Sequence, residues 1–239
     1  MLLGFPMFFY FTQFSSFVSS WHSDLLIKDT EKNELIFLFL YSMGASILPV
    51  TIHDGKIYFL FGKERDIDEN PGWSDFGGGT DRGETYIETA IREGGEELTG
   101  FLGSSSDIRK LLTKYGTFNI DYNSEKYGTY RCHVFPMEYD EFLPLYYNNN
   151  QQFLQKRLDK KIIRDTKIFE KTQIKWWSFD EIKRKHNEFR SFYRNIIHLI
   201  MGNKANIEEF VSSKLGKKQN RKTRRNKHKL TKRKTYRYR

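Results

Sequence analysis

The sequence predicts a mixed α+β domain carrying a basic appendage. Three observations carry that prediction: apolar runs paired across turn residues, one amphipathic helix mid-chain with another near residue 200, and charge divided unevenly along the chain. The 239 residues are 38% hydrophobic and 29% charged, enough for one ordinary core but not for two full catalytic domains. Collagen-like, disulfide-scaffold and wholly disordered classes are excluded by this composition. Formal net charge is +10, yet residues 214 to 239 hold 14 Lys or Arg and no acid, so the body before them is mildly acidic at −4. The lone cysteine, Cys132, forms neither an internal disulfide nor a thiolate cage, and a reducing compartment, cytoplasmic or nuclear, is expected.

Residues 1–21 carry no charge and are mostly apolar, which raises a membrane anchor. Pro6 interrupts the run, no positive segment precedes it and no small-residue cleavage site follows, so membrane contact is the less favoured reading. Residues 1–42 are set apart as an apolar extension, 43–202 as the domain, and 203–239 as linker and tail. From Ala45 to Phe61, two apolar runs flank Asp54-Gly55 and read as a hairpin. Residues 64–84 are rich in Gly and Asp and read as loop with a short strand around Trp73 to Phe76.

Thr85 to Leu98 reads as a helix, with Ile87, Ala90, Ile91, Gly94 and Leu98 at spacings of three and four, ending at Thr99-Gly100. Strands are expected over Tyr115 to Ile120 and Tyr127 to Pro136. Asn148, Asn149 and Asn150 read as loop, Ile174 to Phe179 as a late strand, Asp180 to Lys185 as a helix start and Phe189 to Met201 as the last helix.

The chemistry concentrates in the mid-chain helix. At about 100° per residue, Glu93, Glu96 and Glu97 share one wedge of about 100°, set apart from the apolar face. Like charges four residues apart disfavour a bare helix. Clustered carboxylate oxygens suit a hard cation, Mg²⁺ or Mn²⁺, although an ordinary solvated acidic face has the same pattern. Gly77, Gly78 and Gly79 immediately upstream allow backbone to approach the same place.

The stretch from Gly78 to Phe101, GGTDRGETYIETAIREGGEELTGF, resembles the Nudix box: a glycine, Glu84 six residues on, then Arg92-Glu93 and Glu96-Glu97. Two positions depart from it, Gly94 where an apolar residue is usual and a closing Gly100 one place late. The opening hairpin and Trp176-Trp177-Ser-Phe-Asp-Glu resemble other parts of the family more loosely. The resemblance implies an α/β/α sandwich with mixed sheets and hydrolysis of a nucleoside diphosphate linked to another group. It implies metal-binding roles for Glu93, Glu96 and Glu97, an outer carboxylate in Glu84, a rotamer-fixing partner in Arg92, and a phosphate-side loop in Gly77, Gly78 and Gly79. Water activation falls to one of these carboxylates or to a downstream acid, for which Glu138 is the named candidate and Glu170 the alternative.

Base recognition needs an aromatic face, and Phe118, Tyr122, Tyr127, Tyr130, Phe135 and Tyr139 all lie near the central strands. The tail suits a longer anion: Lys217, Lys218, Arg221, Lys222, Arg224, Arg225, Lys227, Lys229, Lys232, Arg233 and Lys234 would bind nucleic-acid phosphates with steep salt dependence. Together these favour the 5′ cap of RNA as substrate. The alternatives are a pyrophosphohydrolase of small nucleotides or dinucleoside polyphosphates, and a non-catalytic RNA-binding protein.

Overall fold

The computed structural model describes residues 25–28, 35–38, 44–65, 70–124, 128–166 and 169–215. Residues 1–21, Tyr127 and the basic residues from Lys217 onward, read above as possible anchor, stacking ring and anion-binding tail, lie outside the described residues. The chain divides into two units, Met1–Ser42 and Met43–Arg239. In the first, β1 (Leu25–Lys28) and β2 (Leu35–Leu38) form an antiparallel pair.

The second unit is built on a mixed sheet. Strands β3 (Gly44–His53) and β4 (Lys56–Glu64) form the expected hairpin, and Asp54 (φ 48°) and Gly55 (φ 71°) turn it in the left-handed region that a two-residue turn requires. Next come β5 (Trp73–Ser74), β6 (Phe76–Gly79), α1 (Tyr86–Glu97), α2 (Ser105–Tyr115), β7 (Phe118–Ser124) and β8 (Gly128–Pro136). The chain continues through α3 (Phe142–Arg157), α4 (Lys160–Asp165), β9 (Lys171–Ser178), α5 (Phe179–Arg184) and α6 (Tyr193–Gly202), then α7 over 204–215. The sheet runs β5-β4-β3-β8-β7, with β6 beside the first half of β3 and β9 along β4. The β3–β8 pair is parallel and the other pairs of this sheet are antiparallel.

Alternation along the strands supplies both faces. Leu48, Val50, Phe59, Phe61 and Trp177 point to one side, where Ile196, Ile200, Ile207 and Val211 of α6 and α7 cover them. Ala45, Ile47, Leu60, Phe76 and Trp176 point to the other, beneath Ala90 and Ile91 of α1, Ile108 of α2 and Tyr147 of α3. The expected α/β/α sandwich is therefore formed.

Helix α1 begins where Glu88 accepts hydrogen bonds from the Thr85 N–H and hydroxyl, at 2.9 and 2.7 Å. It ends at Thr99 (φ 48°) and Gly100 (φ 78°), and the Gly100 N–H closes back on the Gly95 carbonyl at 3.2 Å. The unusual Gly94 has a packing cause. A Cβ there would sit 2.3 Å from Ile47 Cδ1, so glycine lets the helix lie against β3 and offsets its poor helix propensity.

Three expectations change. Asn148, Asn149 and Asn150 lie inside α3 rather than in a loop, because the Asn148 side chain donates to the Ile174 carbonyl (3.1 Å) and accepts from its N–H (2.8 Å), pairing along the open side of β9. Residues 105–115 form α2, capped by Ser104 and Asp107, so Tyr115 ends a helix and β7 starts only at Phe118. The stretch placed in a linker from residue 203 is helical over 204–215, since Ile207 and Val211 are needed to cover the sheet.

Candidate active site

The acidic helix and the glycine strand meet at the start of β3, where Ala45 and Ser46 pair with Gly78 and Gly77. At Gly78 a Cβ would fall 2.6 Å from the Glu93 carboxyl carbon, so the space a side chain would fill is taken by that carboxylate. One residue earlier, the Gly77 N–H donates to Glu97 Oε2 at 2.8 Å. The spacing of four between Glu93 and Glu97 thus delivers two carboxylates to consecutive glycines.

Arg92 organises the outer side. Its Nε donates to Glu84 Oε1 (2.8 Å), its Nη2 to Glu84 Oε2 (3.0 Å) and the Gly79 carbonyl (2.9 Å), and its Nη1 to Glu93 Oε1 (2.6 Å). Glu84 also accepts from the Asp81 N–H and the Thr89 hydroxyl, at 3.0 and 2.9 Å. Chiefly through Arg92, its pKa is held down at about 2, and the Arg92 guanidinium is raised in turn, first by that bond and then by Glu93 against the opposing effect of burial. Glu84 therefore acts as a strut between the glycine loop and α1. Glu96, two-fifths exposed at its side chain, faces outward with its Oε2 3.9 Å from Arg92 Nη1.

The inner side holds a group that sequence reading missed. Lys171 is 1% exposed, and its three ammonium protons meet three acceptors: Glu64 Oε1, Ser74 Oγ at 2.7 Å and Glu97 Oε1 at 3.2 Å. Glu64 takes a second cation, Arg190 Nη1, at 2.7 Å. A register irregularity between Lys63 and Glu64 lies where Lys171 pairs β4, a place where a bulge re-aims side chains. Gly62 leaves room for the lysine stem, since a Cβ there would be 2.9 Å from Lys171 Cδ. Tyr147 of α3 ties the two elements together, donating to the Glu97 carbonyl at 2.8 Å and in contact with the Lys171 carbonyl at 3.1 Å.

Burial raises the Glu97 carboxyl well above the usual range; Lys171 opposes this, while Glu64, Glu170 and Glu93 add repulsion. For Glu64 burial acts upward too, but Lys171 and Arg190 outweigh it and hold it down. Burial works against the Lys171 charge, and Glu64 and Glu97 overcome it. Lys171 and Glu64 thus each favour the other's charged form. No local pattern in the sequence marks them, because Lys171 and Glu64 are 107 residues apart and Glu64 and Arg190 126.

Of the two downstream acids, Glu170 is the one brought near, close enough for its charge to act on Glu97. Glu138 is not. Strand β8 runs parallel to β3, and the Met137 N–H reaches the Val50 carbonyl, five residues along β3 from the Ala45–Gly78 pair. At about 3.3 Å per residue the Met137 backbone lies about 17 Å along the sheet from that pair, and Tyr139, the residue after Glu138, stacks on His53 at 4.0 Å. The stacking candidates divide similarly: Phe135 is in the core, and Tyr130 is buried with its hydroxyl 2.8 Å from the buried Asp75. Phe118 and Tyr122 are partly buried against the core.

Among the described residues, no three His, Cys, Asp or Glu side chains converge as a ready-made metal cage, and no helix is long and apolar enough to cross a membrane. The donor chemistry itself fits a hard cation: Glu93 and Glu97 offer carboxylate oxygens at the glycine strand, with Glu96 and Glu170 nearby.

The architecture is a Nudix-like α/β/α sandwich with a mixed sheet. No protein-family model matches the chain, and no curated protein matches it. Among solved structures it is similar to an Ap4A hydrolase from C. elegans in a binary complex, at 15% identity over 70% of this chain and 98% of that one (TM-score 0.43). It is also similar to a bifunctional NMN adenylyltransferase/ADP ribose pyrophosphatase from Francisella tularensis complexed with AMP and manganese, at 16% identity over 68% and 41% (TM-score 0.44). A Nudix hydrolase from M. smegmatis, RenU, shares 11% identity over 72% and 92% (TM-score 0.41). At such identities and TM-scores the functional reading rests on the chain's own residues.

Proposed function

We propose that this chain is a divalent-cation-dependent hydrolase of nucleoside diphosphates linked to a further group, with the 5′ cap of RNA as favoured substrate. The observation that supports it most is the delivery of Glu93 and Glu97 to the backbone of Gly78 and Gly77. Glu93, Glu96 and Glu97 would hold Mg²⁺ or Mn²⁺, with Glu170 as the further acid. When bound, the cation would neutralise pyrophosphate oxygens and lower the pKa of an attacking water.

The chain's own residues supply the rest. Arg92 fixes the Glu93 rotamer by a bond to Oε1 and locks the loop through Glu84 and the Gly79 carbonyl. Gly77 and Lys171 hold Glu97, one on each oxygen. Backbone at Gly79 carries no side chain that would keep a phosphate away, while at Gly78 the Glu93 carboxylate takes that place. Glu170, beside Lys171 and half-buried, would accept a proton from water.

The test is an assay of the full chain with Mg²⁺ or Mn²⁺ against cap-labelled RNA and a nucleotide panel. Release of a capped nucleoside diphosphate is expected, with Glu97→Gln lowering divalent-dependent turnover at least 100-fold. Unchanged turnover in that variant would overturn the site. Turnover confined to free nucleotides would replace the cap by a small-nucleotide substrate. A second reading, a non-catalytic RNA-binding protein, is favoured by the engagement of Glu97 with Lys171. RNA binding with no hydrolysis of any panel member would select it.

A further inference from the structure

Helix α3 presents an apolar row to solvent. Phe142 is 50% exposed, Leu145 50%, Tyr146 62% and Phe153 59%. At 100° per residue these four fall within one wedge of about 100°, while Leu143, Tyr147 and Gln151 on the other side are buried. Core packing therefore explains the inner face and not the outer one. Rows of this kind mark interaction surfaces in soluble proteins.

The row has a definite chemistry. Three of its four members are rings, and the Phe142 and Tyr146 planes lie 26° from parallel with centroids 6.1 Å apart. Asn149 and Gln152, both exposed, interleave amide donors and acceptors with the rings. No acid occurs from Phe142 to Leu158, and at the helix end Arg157 stands over the Phe153 ring at 5.9 Å, with Lys156, Lys160 and Lys161 exposed and Asp159 the one acid among them. Planar rings, amides and a cationic end match a strand of bases joined by phosphates. A helix lying in a lipid surface carries basic residues along its polar face and few amides among its rings, which is not this pattern.

Position points the same way. Tyr147 of the same helix bonds the Glu97 carbonyl, so the outward row lies about one helix diameter, 10–12 Å, from the acidic site.

We propose that the outward face of α3 is a docking surface for single-stranded nucleic acid, its rings stacking bases and its C-terminal end meeting phosphates. The hydrolase reading enters only in the choice of RNA as probe, because the face is defined by α3 itself.

The test uses the full chain and a 5′-labelled 15-nucleotide RNA. Fluorescence anisotropy is compared between the parent and Phe142→Ser/Tyr146→Ser/Phe153→Ser. The triple variant should bind at least tenfold more weakly, and Lys156→Glu/Arg157→Glu should reduce the salt slope of log K by about 1.4 for a single strand. Because the positions are exposed, thermal unfolding should stay unchanged; the single variant Tyr146→Ser covers the case in which the triple variant misfolds. Photocrosslinking with 4-thiouridine RNA should label the peptide spanning residues 142–157 in the parent, a readout separate from affinity carried by residues 214–239. Unchanged affinity with labelling only outside α3 would overturn the proposal. So would loss of phosphatidylserine-vesicle binding or of self-association in the triple variant with RNA affinity retained. Hydrolysis of free nucleotides reports on the acidic site separately: RNA docking lost with that turnover kept removes only the surface, and the reverse removes only the catalytic reading.

Discussion

Replacing Lys171 by methionine keeps the length of the stem and removes the ammonium. Wild type balances two buried acids, Glu64 and Glu97, against two buried cations, Lys171 and Arg190. Without Lys171, Arg190 still serves Glu64, but Glu97 is left buried with the Gly77 N–H as its donor, and the Ser74 hydroxyl loses its ammonium. Breaking a buried pair from one side costs about 3–5 kcal/mol. For a body of this size each kcal/mol shifts Tm by about 2–4 °C, so a fall of about 6–20 °C is expected. Burial already raises Glu97, and losing the Lys171 charge that opposes this raises it further in the variant. A carboxyl raised on folding favours the folded state below its unfolded pKa and loses that advantage as pH rises toward its folded pKa. The deficit of Lys171→Met should therefore be smaller at pH 5 than at pH 8. Urea unfolding at both pH values measures it, and Lys171→Met/Glu97→Gln should recover at least about 1 kcal/mol of the loss through coupling. A loss under about 1 kcal/mol, or strict additivity in the double variant, would refute the argument that this network carries charge in the core.

Gly94→Ala should destabilise the protein by about 1–3 kcal/mol in spite of alanine's better helix propensity, because the new methyl meets Ile47 at 2.3 Å; Ile47→Ala in the same chain should restore part of it in thermal denaturation. Glu84→Gln weakens the Arg92 clamp. With the Glu84 pKa lowered to about 2, its contribution is present above the unfolded value near 4.5 and disappears as pH falls toward 2, so a loss of about 1–2 kcal/mol at pH 7, after discounting for solvent screening, should vanish in unfolding curves at pH 2. In the hydrolysis assay, Glu170→Gln should lower kcat at least tenfold and Glu138→Ala should leave it within twofold; the opposite ranking would return the general base to the end of β8.

What the sequence determined by itself was local. The Asp54-Gly55 turn, the start of α1 near Thr85 and its stop at Thr99-Gly100 depend on residues within a few positions of one another, where turn chemistry and capping act. The wedge shared by Glu93, Glu96 and Glu97 follows from helix geometry alone. Tertiary structure decided what those carboxylates meet. Asn148 reads as a turn former, yet bonds to Ile174 across 26 residues keep it in a helix. Glu138 was separated from the acidic helix by the parallel direction of β8 against β3, which no local pattern encodes. No motif in the neighbouring sequence marks Lys171. Only the folding of β9 along β4 carries it beneath α1, where Glu64 and Glu97 make burying an ammonium possible, because a charge leaves water only when partners distant in the chain arrive with it.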